Sequence, residues 1–281
     1  MKPAPFEYCR PDTLEEAVEL LAEFGDDALV MSGGLSLGAM LNMRMVRPKA
    51  VIDINRIQQL SQIDIVGTEL RIGALARQAD VIASSDCQIA APLLIEGLKN
   101  VGHYQTRSRG TVGGSVAHAD PSAEIPLCLI IQKGEIELTS KRGIRRVKSA
   151  DFFRGALITD CEVDEMVTAL VMPVMQACAG IAFEEINERH GDFAIVAAAA
   201  WAVRDGDSFR YGLGLGGLND HPLASHGTTI GGIEAVQEAV TTIICNSEPL
   251  DDRRASATYR RHLAVHLGEC TLQQALENAS C

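Results

Sequence analysis

Ser32-Gly33-Gly34-Leu35-Ser36 follows a short apolar run, Ala28-Leu29-Val30-Met31, and leads into a helical stretch from Ser36 to Met45 that Arg47-Pro48 stops. Ala50-Val51-Ile52-Asp53-Ile54 then reads as a second buried strand. Upstream, Thr13 and Glu16 form a capping box. Leu14, Ala17, Val18 and Leu21 give that helix an apolar stripe, and Gly25 ends it. The order helix, strand, glycine turn, helix, strand predicts a small parallel α/β layer, and glycine turns at strand ends are where such sheets take ligands. About eighty residues on stands a second glycine pair, Thr111-Val112-Gly113-Gly114-Ser115, followed by His118-Ala119-Asp120-Pro121. A glycine pair lets backbone N–H groups approach an anion with no Cβ in the way. Two such bends could grip a diphosphate from opposite sides, so a dinucleotide is the first ligand to consider.

The remainder of the first half reads as a hairpin (63–66 and 70–73), helices at 77–84 and 88–98, a polar, basic loop over 102–114, an apolar helix near 126–132, and strands at 135–139, 144–148 and 166–172. The stretch 173–180 is a plausible joint. Three antiparallel strands (181–185, 194–203, 210–218) and two helices (232–242, 253–267) follow. Gly212-Leu213-Gly214-Leu215-Gly216-Gly217 matches a dinucleotide fingerprint in letters only, because Asn219-Asp220-His221-Pro222 is turn chemistry where a helix must start. Those glycines are expected in a strand that packs closely against a neighbour.

Composition narrows the function classes. The chain has 281 residues, 47% hydrophobic, with only one Trp, four Tyr and seven Phe, so its core is aliphatic. A net charge of −12 disfavours nucleic acid and anionic membranes. Backbone dipoles still bind phosphate locally, since each hydrogen bond to a charged group contributes about 1.5–3 kcal/mol. No run of some twenty apolar residues could span a membrane. The eight cysteines (9, 87, 128, 161, 178, 245, 270 and 281) include no C-x-x-C pair, which argues against a metal site and for reduced, cytoplasmic thiols.

Individual residues keep two readings at this point. Asp120-Pro121 either caps a helix or offers a carboxylate to a ribose or base. Glu124 reads as a solvated first-turn carboxylate, and His118 as a loop residue. Arg189-His190-Gly191-Asp192-Phe193-Ala194 is a hairpin loop or a loop projecting toward the ligand. Tyr259-Arg260-Arg261-His262 reads as a basic helix face, solvated or covered by a partner.

Taken together, Ser32–Ser36, Arg47-Pro48, Ile72-Gly73-Ala74, Gln105–Ser115, Ala119-Asp120-Pro121, Gly191-Asp192-Phe193-Ala194 and the closing Ala257–Arg261 helix resemble the FAD-binding medium subunit of the molybdenum hydroxylases. The likeness runs over essentially the whole chain. Ser32, Thr106, Ser108 and Ser115 stand where Ala, Ile, Asn and Asn are frequent in that family. The resemblance implies an α+β chain with an α/β N-terminal part: a two-subdomain, p-cresol-methylhydroxylase-like FAD-binding domain over 1–176 (subdomains about 1–56 and 57–176), and a C-terminal domain over 177–281 with a three-stranded antiparallel sheet and helices. It implies noncovalent FAD, with Ser32, Gly33, Gly34, Leu35, Ser36, Thr111, Gly113, Gly114 and Ser115 around the pyrophosphate. Asp120 would meet the adenosine half, Arg107 would lie near the flavin, and Phe193 by the isoalloxazine. No residue here would be catalytic in its own right. The partners implied are a small iron–sulfur subunit with 2Fe–2S clusters, a large molybdopterin subunit and an external electron acceptor, in a heterotrimer. The alternatives are a stand-alone flavoenzyme, such as a nucleotide-sugar reductase with His103, Tyr104 or Ser108 as proton donor, and a scaffold module using the glycines only as turns.

Overall fold

The computed structural model describes residues 1–279; Cys281, counted above among the reduced thiols, lies outside them. The chain opens with β1 (Glu7–Cys9), α1 (Leu14–Phe24), β2 (Ala28–Met31), α2 (Leu35–Asn42) and β3 (Ala50–Asp53). The strands form the expected parallel layer, in the order β1-β3-β2. Both halves of the Thr13 capping box are made, and Gly25 ends α1 in a positive-φ conformation. Ala17, Val18 and Leu21 bury the apolar stripe of α1 against Ile52 of β3 and its neighbours. Strand β1 has no sequence signature, since three residues set among prolines carry no periodicity.

Next come β4 (Ile63–Val66), β5 (Glu69–Gly73), α3 (Gln78–Ala83), α4 (Ser85–Ala90), α5 (Pro92–Asn100), α6 (Tyr104–Arg107), α7 (Val112–His118) and α8 (Glu124–Ile131). They are followed by β6 (Glu135–Ser140), β7 (Gly143–Lys148), α9 (Ser149–Phe152), the short pair β8 (Phe153–Gly155) and β9 (Ile158–Thr159), and β10 (Met166–Pro173). Five strands form an antiparallel sheet in the order β4-β5-β10-β6-β7. Two local expectations are corrected. The helix read over 88–98 is two helices, because Ala91 leaves the helical region before Pro92 starts a new first turn. The loop read over 102–114 contains α6 and the start of α7.

The last part holds β11 (Gly180–Ile186), β12 (Val196–Asp205), β13 (Ser208–Gly216), β14 (Leu223–Thr229), α10 (Ile233–Cys245) and α11 (Ala257–Asn278). Its antiparallel sheet has four strands, not three. The fourth, Leu-Ala-Ser-His-Gly-Thr-Thr, is polar and only partly buried, so its hydrophobic pattern is weak. Strand β12 has both faces covered: Ala197 and Ala199 join the core around α8, while Ala198, Ala200 and Ala202 join the core around α10 and α11. Side chains alternate across a strand, so a strand buried on two sides reads as a continuous apolar run. The glycines of the false fingerprint lie in β13. A Cβ at Gly214 would collide with Ile131 and come within 2.8 Å of Leu127, both on α8. They are there for the close approach of helix and sheet.

The C-terminal end of α8 is tied to the same sheet. Trp201 Nε1 donates to the Ile131 carbonyl at 2.9 Å, and His226 Nε2 donates to it at 2.8 Å. Burial holds the His226 pKa below its usual value, so the ring is neutral with its proton on Nε2. Helix α8 is therefore the element shared by the antiparallel sheets before and after the joint. All eight of its residues are buried. Leu127→Ala should cost about 2–5 kcal/mol in chemical denaturation, from lost burial plus a cavity at the β13 contact. The exposed Ile144→Ala should stay within about 0.5 kcal/mol.

Candidate functional site

Strand β2 delivers the first glycine pair at its C-terminal end. Gly34 sits at φ +73° as the N-cap of α2, a conformation that favours glycine, and it offers no side chain to cap the helix. The first amide of this helix to find an acceptor is Gly38, which bonds Gly34 O at 3.0 Å. The first-turn amides of Leu35, Ser36 and Leu37 have no intrahelical acceptor by construction. The positive end of α2 is thus uncapped and aimed at the cleft that Gly33, Gly34, Leu35 and Ser36 line.

The second bend is built differently. Thr111 is the N-cap of α7, its hydroxyl accepting from Gly114 N at 3.0 Å. Val112 N bonds Ala76 O at 3.1 Å, Gly113 N bonds Ala74 O at 3.0 Å, and Ser115 N bonds Thr111 O at 3.2 Å. These four amides already have acceptors, so the second glycine pair is not a set of free donors. It serves close approach. A Cβ on Gly113 would occupy the space of Ala74, and one on Gly114 would lie 2.7 Å from both Ser32 Oγ and Thr111 Oγ1. Ser32 Oγ and Thr111 Oγ1 are themselves 3.0 Å apart, and a Cβ on Gly33 would stand 2.5 Å from Arg109 O. The two bends therefore touch and form one continuous wall, where the sequence suggested opposed jaws.

A polar network behind this wall fixes it. Asn55 Nδ2 donates to Ser32 O at 2.7 Å and to Asp53 Oδ1 at 2.6 Å, while Tyr8 OH donates to the other Asp53 oxygen. Arg77 bridges Asn55 Oδ1 and Arg109 O, each at 2.6 Å, and Arg109 returns to Gly33 O at 3.3 Å. Burial alone would raise the pKa of Asp53; the donors from Tyr8 and Asn55 outweigh it and hold the carboxylate below its ordinary range. None of Tyr8, Asp53, Asn55 and Arg77 stood out in the sequence as site residues. Their spacing is irregular, and only the fold brings them together.

The cleft has a volume of about 760 Å³. Of the twelve residues expected at the site, eleven line it: Ser32, Gly33, Gly34, Leu35, Ser36, Thr111, Gly113, Gly114, Ser115, Asp120 and Phe193. Arg107 does not. Its guanidinium turns onto the carbonyls of Val101 and Gly102 at 2.8 and 3.1 Å. Asp120 does not cap α8; its Oδ1 accepts from Ser122 N at 2.9 Å in a local turn, and α8 starts after Ala123 without a side-chain cap. Phe193 and its neighbours Gly191 and Asp192 bring the C-terminal part of the chain to the cleft. Leu157, Cys161 and Met166 also line it, from a stretch that carries no motif.

Glu124 is the largest departure from expectation. It is 5% exposed rather than solvated, and it lines the cleft. Burial, with the nearby carboxylates of Glu185 and Asp120, pushes its pKa up to about 8. Its position in the first turn of α8 makes a solvated carboxylate the natural reading, and only the packing of α5 on α8, with Phe183 of β11 beside Gly97 at that contact, buries it. A carboxyl ionising near pH 4.3 when unfolded and near 8 when folded binds more protons in the native state between those values. Its contribution to stability is complete below the lower value and is lost as pH rises through the upper one. Denaturation midpoints of the ligand-free chain should therefore fall as pH rises from about 5 to about 8 and level off above that, and Glu124→Gln should flatten that fall.

The donor set suits a dinucleotide. A helix start with open amides meets a wall that lacks a Cβ at Gly33, Gly34, Gly113 and Gly114, and two acidic side chains that can accept from hydroxyls lie on the same cleft. Residues 4–175 match the family model described as the FAD binding domain in molybdopterin dehydrogenase, and residues 181–275 match the CO dehydrogenase flavoprotein C-terminal domain. The chain is 34% identical to the 6-hydroxypseudooxynicotine dehydrogenase complex subunit alpha of Paenarthrobacter nicotinovorans, over 99% of this chain and 97% of that one. It is 32% identical to the carbon monoxide dehydrogenase medium chain of Hydrogenophaga pseudoflava, over 98% of each. A solved structure of carbon monoxide dehydrogenase from H. pseudoflava superposes with a TM-score of 0.95, at 32% identity and complete coverage of both chains. Fold, cleft and sequence agree: the chain belongs to the family of FAD-binding subunits of molybdenum hydroxylases.

Proposed function

We propose that FAD lies in this cleft with its diphosphate at the open first turn of α2, beside Ser32–Ser36 and the Thr111–Ser115 bend. The uncapped helix start facing the cleft is the observation that carries this reading. Asp120 and Glu124 are the acceptors for hydroxyls of the ligand, and Phe193 is the ring that meets the isoalloxazine. When bound, the flavin supplies the redox chemistry; the protein binds it, orients it and shapes its surroundings. No residue of this chain is assigned a proton-transfer step. Arg107 is left out of the site, because carbonyl oxygens occupy its guanidinium.

In this reading the chain is one component of an electron relay. Substrate is hydroxylated at a molybdopterin subunit, electrons cross the 2Fe–2S clusters of a small subunit, and an external acceptor takes them from this one. The division of the chain at 176 into an FAD-binding domain and a C-terminal α+β domain is in keeping with two family models that abut between residues 175 and 181, and the parts 1–56 and 57–176 correspond to the separate three-stranded and five-stranded sheets. None of the described helices is long and apolar enough to cross a membrane. The thiols of Cys87 and Cys128 are free and buried, which suits a reducing compartment such as the cytoplasm.

The test is retention of flavin by the purified complex. The wild-type chain should carry one FAD. Gly114→Val, whose side chain would enter the contact between Ser32 and Thr111, should weaken FAD binding more than tenfold, about 1.4 kcal/mol or more, with far-UV circular dichroism unchanged. The exposed Ser108→Ala should keep its flavin. A Gly114→Val chain that binds FAD with the wild-type dissociation constant would refute the assignment.

A further inference from the structure

The loop that carries Phe193 is held from two sides by groups that have no other evident task. Phe193 is half-exposed, and its backbone carbonyl accepts from Arg254 Nη2. Two residues on, Ile195 O accepts from Arg260 Nη1 at 2.5 Å, and the same nitrogen donates to Gly217 O at 2.9 Å. Arg260 is 1% exposed, against the sequence expectation of a basic helix face. Burying a guanidinium is costly unless it is fully engaged, and its Nε still has no partner. Its other end, Nη2, pairs with Asp252 Oδ2 at 2.7 Å. The second oxygen of Asp252 accepts from the amides of Arg254 and Ala255, at 2.8 and 3.0 Å. One carboxylate therefore pairs with the Arg260 guanidinium and pins the backbone at Arg254. On the far side, Gly191 at φ +87° packs on Gly102 and His103, where a Cβ would come 2.9 Å from His103 Cε1. Those contacts stand on the two carbonyls that Arg107 holds.

Both anchors act on main-chain carbonyls and leave the Phe193 side chain free to face the cleft. We propose that Arg254, its backbone pinned by Asp252 and its hold on the loop backed by buried Arg260, is a positioning residue that fixes the Phe193 ring against the bound cofactor. This inference rests on the placement of Phe193 beside the flavin. It assigns to the turn at 252–255, at the start of the last helix, a role in tuning a cofactor that the turn itself does not touch.

The experiment uses the complete FAD-loaded complex and two readouts, the flavin absorption maximum and the flavin midpoint potential. Phe193→Ala sets the scale: loss of the ring should shift both the absorption maximum and the potential. Arg254→Gln should move both in the same direction with FAD content unchanged. Arg254→Lys, which keeps a cationic donor, should recover most of the change. Phe193→Ala combined with Arg254→Gln should shift no further than Phe193→Ala alone, because the two act through one group. If Arg254→Gln yields no folded complex, Arg254→Met, which keeps the apolar stem, is read on the same scale. Wild-type values in the Arg254 variants, alongside a clear effect of Phe193→Ala, would overturn the positioning role and leave the placement of Phe193 standing. An additive double variant would likewise overturn it. No effect of Phe193→Ala would overturn the placement, and the positioning role with it.

Discussion

The contact between Ser32 and Thr111 is the constraint on which the rest of the site depends. It closes a loop of about eighty residues, and it requires that no Cβ intervene at Gly33, Gly113 or Gly114. Closing so long a loop is entropically unfavourable, though the cost grows only slowly with length. The structure offsets it with the polar lattice of Tyr8, Asp53, Asn55, Arg77 and Arg109, centred on the buried Asp53, in which almost every member bonds to one of the two bends or to a residue that does. Such networks are rigid when fully satisfied. The wall of the cleft is therefore organised before any ligand arrives.

The two glycine pairs look alike in sequence and do different physical work. At the first, the chain leaves a parallel strand and enters a helix without a cap, so amides stay open at the positive end of a dipole. At the second, every amide from Val112 to Ser115 already has an acceptor, and the glycines are needed because Ala74 and Ser32 are in the way of side chains. Sequence spacing shows that both positions need glycine. Only the hydrogen-bond inventory separates a donor site from a packing site.

Much of the architecture was legible because its signals are local. The Thr13 capping box, the first glycine turn, the hairpin at 63–73 and the rejection of the fingerprint at Gly212 each follow from neighbours within a few residues, and each agrees with the structure. What failed depends on distant partners. Strand β14 is polar because it lies at a sheet edge, so its pattern is that of a loop. Glu124 looked solvated because nothing local reveals that α5 closes over it. Arg107 is expected near the flavin from the resemblance alone, whereas two nearby carbonyls claim its guanidinium. Arg260 was read as a surface charge and is among the most buried side chains. Glu124 and Arg260 were each given the average environment of a charged residue, and tertiary contacts supplied another.

The most direct test of the account is an experimental density map of the complete complex with FAD bound. Diphosphate oxygens should lie at hydrogen-bond distance, about 2.7–3.2 Å, from first-turn amides of the helix that begins at Leu35, with the Ser32–Thr111 contact intact beside them. A diphosphate bound away from that helix start, or a cleft filled by protein side chains with the flavin held elsewhere, would contradict it.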